Sequence, residues 1–410
     1  MKTAILSIFT VFACTPILHA EDWSGWRGAD RTAISTETGL LKQWPSGGPK
    51  RIWLSKEAGL GYSSFSVVQG KLFTMGAFGD KEHLLAFDAN TGKSLWKTEV
   101  GNLLKNSWGD GPRSCPTVAN GLIYVLGGSG NLACVDPNTG KTAWSVSLTR
   151  DLGGKVPGWG YTESVLVDQG RVICTPGGKG GALAALDAKT GKTLWRSKAF
   201  TDGAQYSSPI VIEHGGVRQY VQLVMKNFVG VKADDGALIW KSPWPGRTAV
   251  IPTPIHHEGH VYVTSGYGVG CKLIQLGSGG AKDVYDNKNM KNHHGGVIKL
   301  GDHLYGYSDG YGWVCQDFKT GDIKWNEKKG LGKGAISYAD GRFYCQSEGD
   351  GSIALIEASP QGWKEHGRFK LDPQTKQRSK RGKIWTHPVI ANGRLYLRDQ
   401  ELLFCFDLKK

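Results

Sequence analysis

Short apolar stretches separated by polar turns run along almost the whole chain, and within each stretch apolar and polar positions alternate. A period of two belongs to a pleated strand with one buried face, because successive side chains point to opposite sides. Residues 64–68 form one such run, Gln69-Gly70 breaks it, and residues 71–75 run back. The same break recurs at Asn120-Gly121, Gln169-Gly170, Glu258-Gly259, Asp340-Gly341 and Asn392-Gly393. A two-residue turn ending in Gly predicts a tight hairpin, since Gly takes positive φ at little cost. A third strand follows, at residues 83–87 in the first copy.

After the third strand comes a repeated turn. It reads D-A-N-T-G-K-S-L-W at 88–96, D-P-N-T-G-K-T-A-W at 136–144, D-A-K-T-G-K-T-L-W at 187–195 and D-F-K-T-G-D-I-K-W at 317–325. The Asp side chain accepts backbone N–H groups inside the turn, and the Gly supplies its left-handed residue. The Trp falls on a fourth, outermost strand, where a large flat ring covers the neighbouring unit. Self-similarity at a period of roughly 40–50 residues marks a radial repeat fold.

The outer-strand series is Trp53, Trp96, Trp144, Trp195, Trp240, a degenerate copy at Tyr285, Trp325 and Trp363. The innermost-strand series lies near Val67, Val118, Val165, Ile210, Ile255, Val297, Ile336 and Val389. Both series count eight. The last unit has no Trp strand after it, and the first Trp strand, at 51–54, has no unit before it. The expected fold is therefore all-β: an eight-bladed β-propeller of four-stranded blades, its last blade closed by the N-terminal strand, which removes open sheet edges. Seven blades, with the stretch around Tyr285 as an insertion, is the alternative count.

Composition adds three constraints. Residues 1–20 combine Lys2, an apolar run too short for a bilayer and Leu18-His19-Ala20 before Glu21, which reads as a secretory signal. Lipoprotein processing at Cys14 is the rival reading. The organisation expected is a signal peptide at 1–20, an N-terminal extension at 21–50 and a propeller at 51–410, exported to the periplasm or beyond the cell. No later stretch is apolar and long enough to span a membrane. Of eight Cys, Cys134, Cys315 and Cys405 each stand two residues before a repeat Asp, where other copies carry Ala86 and Ala185. That slot suits a buried free thiol acting as a small hydrophobe. The formal net charge of +14, with basic residues thickening over 364–383, favours anionic partners. Nucleic acid is not expected, because no reader motif is present.

Ligands of propellers sit where loops enter the innermost strands. Those loops carry Trp108, Asp110 and Arg113, then Trp159, Tyr161 and Glu163, then Gln205 and Tyr206, Arg247, His293 and His294, Lys333, and Trp385 and His387; Tyr62 and Ser63 precede the first blade. Convergent aromatic and polar groups in a concavity are the expected ligand site. The competing reading has the rings capping blade ends and the charges solvated. No catalytic residue is assigned, as no G-x-S-x-G or P-loop is present. The pairs His256-His257 and His293-His294 are neighbours in sequence, and neighbours in a strand point to opposite faces, so no metal is assigned.

The A-x-D-x-x-T-G-x-x-x-W turn, repeated around a ring, resembles the PQQ-like (quinoprotein) β-propeller repeat family over residues 51–410. W-R-G at 26–28, N-H-H-G-G at 292–296 and I-W-T-H-P at 384–388 look like a secreted bacterial subfamily. The resemblance implies one of two branches: quinone-dependent alcohol dehydrogenases, or non-catalytic scaffolds of the BamB type. The enzyme branch implies PQQ held by cations such as Arg113, Arg247 and Lys333, and stacked on a Trp such as 108, 159, 313 or 385. It also implies Ca²⁺ on oxygen ligands, a catalytic Asp and a disulfide between adjacent Cys. This chain has no adjacent Cys, and Asp110 and Glu163 are the mouth carboxylates that can be placed. The function expected is an exported non-catalytic propeller, without cofactor, binding an envelope protein or a small anionic or carbohydrate ligand at its axial face. The alternatives are a PQQ-dependent oxidoreductase with Ca²⁺ and a carbohydrate-binding propeller.

Overall fold

The computed structural model describes residues 22–409, so the expected signal peptide and Cys14 lie outside the described residues. Hydrogen-bonded strands form eight sheets; seven have four strands in chain order from the channel outward, the eighth takes its outer strand from near the N-terminus, and one of the seven carries an additional fifth strand. The first blade comprises Ser66–Val68, Lys71–Phe78, Lys81–Asp88 and Ser94–Asn102. All six X-Gly turns are present, with the first residue at φ between 45° and 57° and the Gly between 69° and 77°. These are the left-handed values that a two-residue hairpin needs.

The ring closes as the sequence pattern requires. Arg51–Ser55 is the outer strand of the eighth blade, antiparallel to Leu402–Asp407, with Trp53 opposite Cys405 and Leu54 opposite Phe404. Tyr285 lies opposite Leu273 on Gly280–Asn287, the outer strand of the fifth blade, so that stretch is a blade and not an insertion. One position differs from expectation. Trp363 precedes the outer strand Glu365–Lys370, and Arg368 occupies the slot opposite Ala354. Trp363 packs instead on Trp313 and Trp325, at ring separations of 5.9 and 6.4 Å.

The repeated turn is a latch between blades. In the first copy the Asp88 carboxylate accepts the N–H groups of Asn90 and Thr91 and the Thr91 hydroxyl at 2.8–3.0 Å. Gly92, at φ 71°, leaves the space over the turn to Trp53 of the previous sheet; a Cβ there would stand 2.6 Å from the indole. The indole N–H then donates to the carbonyl after the Asp, or after Lys232, which replaces it in the fourth blade. Trp53 reaches Ala89, Trp96 Pro137, Trp144 Ala188 and Trp195 Ala233, at 3.0–3.3 Å. The Tyr285 hydroxyl reaches Phe318 in the same way at 3.0 Å. Opposite the outer-strand Trp rings stands a small residue, Ala86, Cys134, Ala185, Gly230, Cys315 or Cys405, whereas Tyr285 faces Leu273. The seven described Cys are free and buried.

Residues 22–44 do not lie on the outside of the ring. They enter the central channel, turn over and leave again, touching every blade. Trp23 exchanges two backbone bonds with Val67, and Ser24 accepts from Val118. The Arg31 guanidinium donates to the carbonyls of Ser164, Val165 and Pro209 at 2.5–2.9 Å, holding the third and fourth blades. Trp26 donates to Thr253, and Arg27 donates to the Val297 carbonyl. Ile34–Ser35 then pairs in parallel with the innermost strand of the seventh blade, and Leu41 bonds to Leu408 of the eighth. Arg27, Arg31 and Ala33 hold left-handed φ of 58–61°, a conformation that persists in non-Gly residues only when the surroundings over-determine it.

Candidate functional site

Strands within a blade alternate in direction. The loop entering the innermost strand and the loop joining the second and third strands therefore open on the same axial face. On that face the loops surround a cup of about 930 Å³, counted to its open mouth, whose floor includes Trp26 of the channel segment. Seven aromatic side chains line it: Trp26, Tyr62, Trp108, Trp159, Tyr206, Tyr267 and Trp385. Thr162, Ser208, Ala249, Ile251, Arg113, His294 and His387 complete the wall.

Ring contacts make the wall rigid. Tyr62 and Trp385 meet at 5.0 Å, Trp385 and His294 at 5.2 Å, Trp159 and Tyr206 at 5.7 Å, and Trp26 and His387 at 4.6 Å. Arg113 donates to the carbonyls of Gly109 and Gly111 at 2.7–2.8 Å and lies 5.1 Å from the Tyr62 ring centre. Burial lowers its pKa from the usual guanidinium value. His387 stands 2.6 Å by Nε2 from the His294 carbonyl. Burial, reinforced by Arg27, pushes its pKa down to about 3. The ring is thus neutral, Nε2 carries the proton and donates it, and Nδ1 is a lone-pair acceptor. That Nδ1 and the Trp385 indole N–H are both buried without a protein partner.

Behind Tyr267 lies a charged cluster. The His293 ring stacks on Tyr267 at 4.2 Å, with Nε2 2.7 Å from Asp309 and Nδ1 2.8 Å from the Lys333 ammonium. Lys333 also pairs with Asp309 at 2.9 Å. Burial raises the Asp309 pKa, but the bonds from His293 and Lys333 outweigh it and bring the group to about 2. His294 faces Glu348 at 3.5 Å. Burial lowers the His294 pKa.

Of the residues singled out from sequence, Tyr62, Trp108, Arg113, Trp159, Tyr206, His294, Trp385 and His387 line the cup. The others do not. Asp110 accepts the Asn106 N–H within its own loop at 2.7 Å. Tyr161 is fully buried and donates to the Pro176 carbonyl. Glu163 is buried and accepts the Thr175 N–H and the Gln222 amide; burial raises its pKa to about 7. Gln205 donates to the Ala204 carbonyl, Arg247 is exposed outside the wall, and His293 and Lys333 form the layer behind it. Trp26, Tyr267, Asp309 and Glu348 are additional. Three of these sit on loops between second and third strands, which strand alternation alone assigns to this face, and Trp26 is the Trp of W-R-G.

The quinone of the resembling enzymes demands cations for its carboxylates and oxygen ligands for Ca²⁺. The cup wall holds no Asp or Glu, and its one guanidinium is committed to two carbonyls. Among the described residues no three His, Cys, Asp or Glu side chains are arranged to hold a metal ion. The residues of the cup do not fit that group.

An eight-bladed propeller with latched repeats and an aromatic axial cup defines the class as a repeat propeller of the PQQ-like type. The chain belongs to the family described as outer membrane protein assembly factor BamB, whose profile matches residues 80–327. Its curated relatives include quinone alcohol dehydrogenases and a BamB. The dehydrogenase subunit of the quinone alcohol dehydrogenase of Gluconacetobacter polyoxogenes is 30% identical over 195 residues, which is 44% of this chain and 26% of that protein. BamB of Moranella endobia is 26% identical over 183 residues, 42% of this chain and 41% of that protein. The chain thus spans about a quarter of the first relative's length and two fifths of the second's. Among solved structures, BamB of Moraxella catarrhalis superposes with a TM-score of 0.62 at 13% identity, covering 88% of this chain and all of that one. At that identity the likeness shows the fold. No described helix is long and apolar enough to cross a membrane.

Proposed function

We propose that the protein is an exported, non-catalytic propeller that binds a small ligand in its axial cup. The observation that carries this reading is the convergence of seven aromatic side chains with an unpaired donor, Trp385 Nε1–H, and an unpaired acceptor, His387 Nδ1. Buried polar atoms are normally satisfied, and a ligand supplying one donor and one acceptor satisfies both. Export rests on the leader-like residues 1–20, and membership of the BamB-described family favours binding over turnover. The wall holds no carboxylate, so its titratable groups are Tyr62, Tyr206, Tyr267, Arg113, His294 and His387. The test is titration of purified protein with PQQ and Ca²⁺, followed by cofactor absorbance and dye-coupled ethanol oxidation. This reading expects neither saturation at micromolar quinone nor turnover; saturation with turnover transfers the protein to the dehydrogenase branch.

A further inference from the structure

We infer that the ligand is an acidic oligosaccharide, one sugar ring entering the cup and its anionic substituents lying on a basic ridge at the rim. The inference rests on the cup reading above and adds the ligand's chemistry. Residues 379–383 lie against the cup edge. The Ser379 hydroxyl donates to the Ser107 carbonyl at 3.2 Å, and the Arg381 guanidinium lies 5.8 Å from the Trp108 ring centre. Trp108 is 39% exposed at the mouth. Around it Lys105, Lys376, Lys380, Arg381 and Lys383 are all exposed, and none of them pairs with a carboxylate among the described residues. Of the acids beside these segments, Asp399 is paired with Arg378 at 2.5 Å, while Glu401 and Asp110 accept from the neutral Thr375 hydroxyl and Asn106 N–H and keep their charge.

Two independent features thus meet at Trp108. A cluster of unpaired cations attracts anions over roughly a Debye length, about 8–10 Å. A wall of rings offers faces to the C–H side of a pyranose, while the sugar's hydroxyls act as both donor and acceptor, which the unpaired Trp385 and His387 atoms require. A hydrocarbon ligand leaves those atoms unsatisfied. A bare polyanion gains nothing from the aromatic floor. The anionic group is a carboxylate or a sulfate ester; both offer acceptor oxygens to Lys and Arg.

The experiment is calorimetric and fluorescence titration of the intact protein with an octagalacturonate, a sulfated κ-carrageenan hexamer, neutral cellohexaose, a DNA dodecamer and phosphatidylglycerol vesicles. One acidic glycan is expected to bind at low salt with a tryptophan emission change, and to lose about tenfold in affinity between 50 and 300 mM NaCl as screening shortens. Replacing the exposed Lys380, Arg381 and Lys383 together by Ser should weaken it about tenfold or more without altering the thermal midpoint. Trp159→Ala should abolish the emission change. Which glycan binds identifies the anion. Equal binding of cellohexaose overturns the acidic class while leaving the cup reading intact. DNA or vesicles binding as tightly, insensitive to Trp159→Ala, overturns the glycan and makes the ridge a general anion surface. Binding by none of the five probes overturns the inference, and the cup itself is then judged by crystallography with unrelated fragments.

Discussion

Trp53 donates its indole N–H to the carbonyl of Ala89 at 3.1 Å, and those two residues belong to the sheet that closes the ring and the sheet that begins it. The bond joins the eighth blade to the first by the same device that joins the first to the second. Trp53 also covers Gly92 and lies 6.1 Å from the Tyr396 ring.

Trp53→Ala removes a buried indole at the one junction where the ends of the chain meet. The expected loss is about 3–5 kcal/mol, the usual cost of truncating a buried Trp. Trp53→Phe keeps most of the packing and loses the hydrogen bond, for a cost nearer 1–2 kcal/mol. Urea denaturation of both variants checks this. A loss below about 1 kcal/mol for the Ala variant contradicts a closed ring whose seam is held by this latch.

Arg31→Ala leaves the buried carbonyls of Ser164 and Pro209 without the Arg31 donor, while Val165 keeps its bond from the Thr117 hydroxyl. An unsatisfied buried polar group costs about 1–3 kcal/mol, so the variant should lose about 3–5 kcal/mol in urea unfolding and expose the channel to faster amide exchange at Val67 and Val118. Wild-type exchange rates at both amides would show that the segment holds the channel without Arg31.

Glu163 gives a pH dependence of defined sign. Its carboxyl is buried and its pKa is raised from 4.5 to about 7, burial outweighing the bonds from Thr175 and Gln222 and the charge of Arg31. The fold therefore prefers the protonated acid. The stability this contributes is fully present below the unfolded value and is lost as pH rises through about 7. The loss above that pH is on the order of 3 kcal/mol. Glu163→Gln carries no titrating proton, so its stability relative to wild type should improve by about 2–3 kcal/mol between pH 5 and pH 8. A constant difference between the two proteins across that range refutes the raised pKa.

The seven described thiols should resist Ellman's reagent in the native protein at pH 8 and react only on unfolding. Burial raises the pKa of Cys134 and Cys315 to about 11 and that of Cys115 to about 12, so few thiolates are available to react. Rapid native reaction of any of them contradicts their burial.

Much of this architecture was legible in sequence because each blade repeats one local physical solution. Asp88, Gly92 and Trp96 announce a turn, a left-handed residue and a covering ring within nine positions, and the ring closure follows from counting unmatched ends at Trp53 and Phe404. Even Tyr285 could be counted, since its hydroxyl replaces the indole N–H. Arg368 could not, because nothing local says that Trp363 lies just outside its strand. The site was half legible. Trp159 and Trp385 precede inner strands and face the axis, whereas Tyr161 and Glu163, two and four positions after Trp159, turn into the blade interface. Loop side chains lack the period-two rule that decides facing in strands. The channel segment carries no repeat at all, so the contribution of Trp26 to the floor depends on contacts far apart in sequence, such as its bond to Thr253.

The central claim is that the axial cup is where this protein binds. Crystals soaked with a library of small rigid fragments, aromatic and sugar-like, test it without presupposing the ligand. The account predicts that bound fragments concentrate between Trp26, Trp159 and Trp385, with polar atoms on Trp385 Nε1 and His387 Nδ1. Fragments that bind elsewhere on the molecule while leaving those rings and those two nitrogens unoccupied would contradict it.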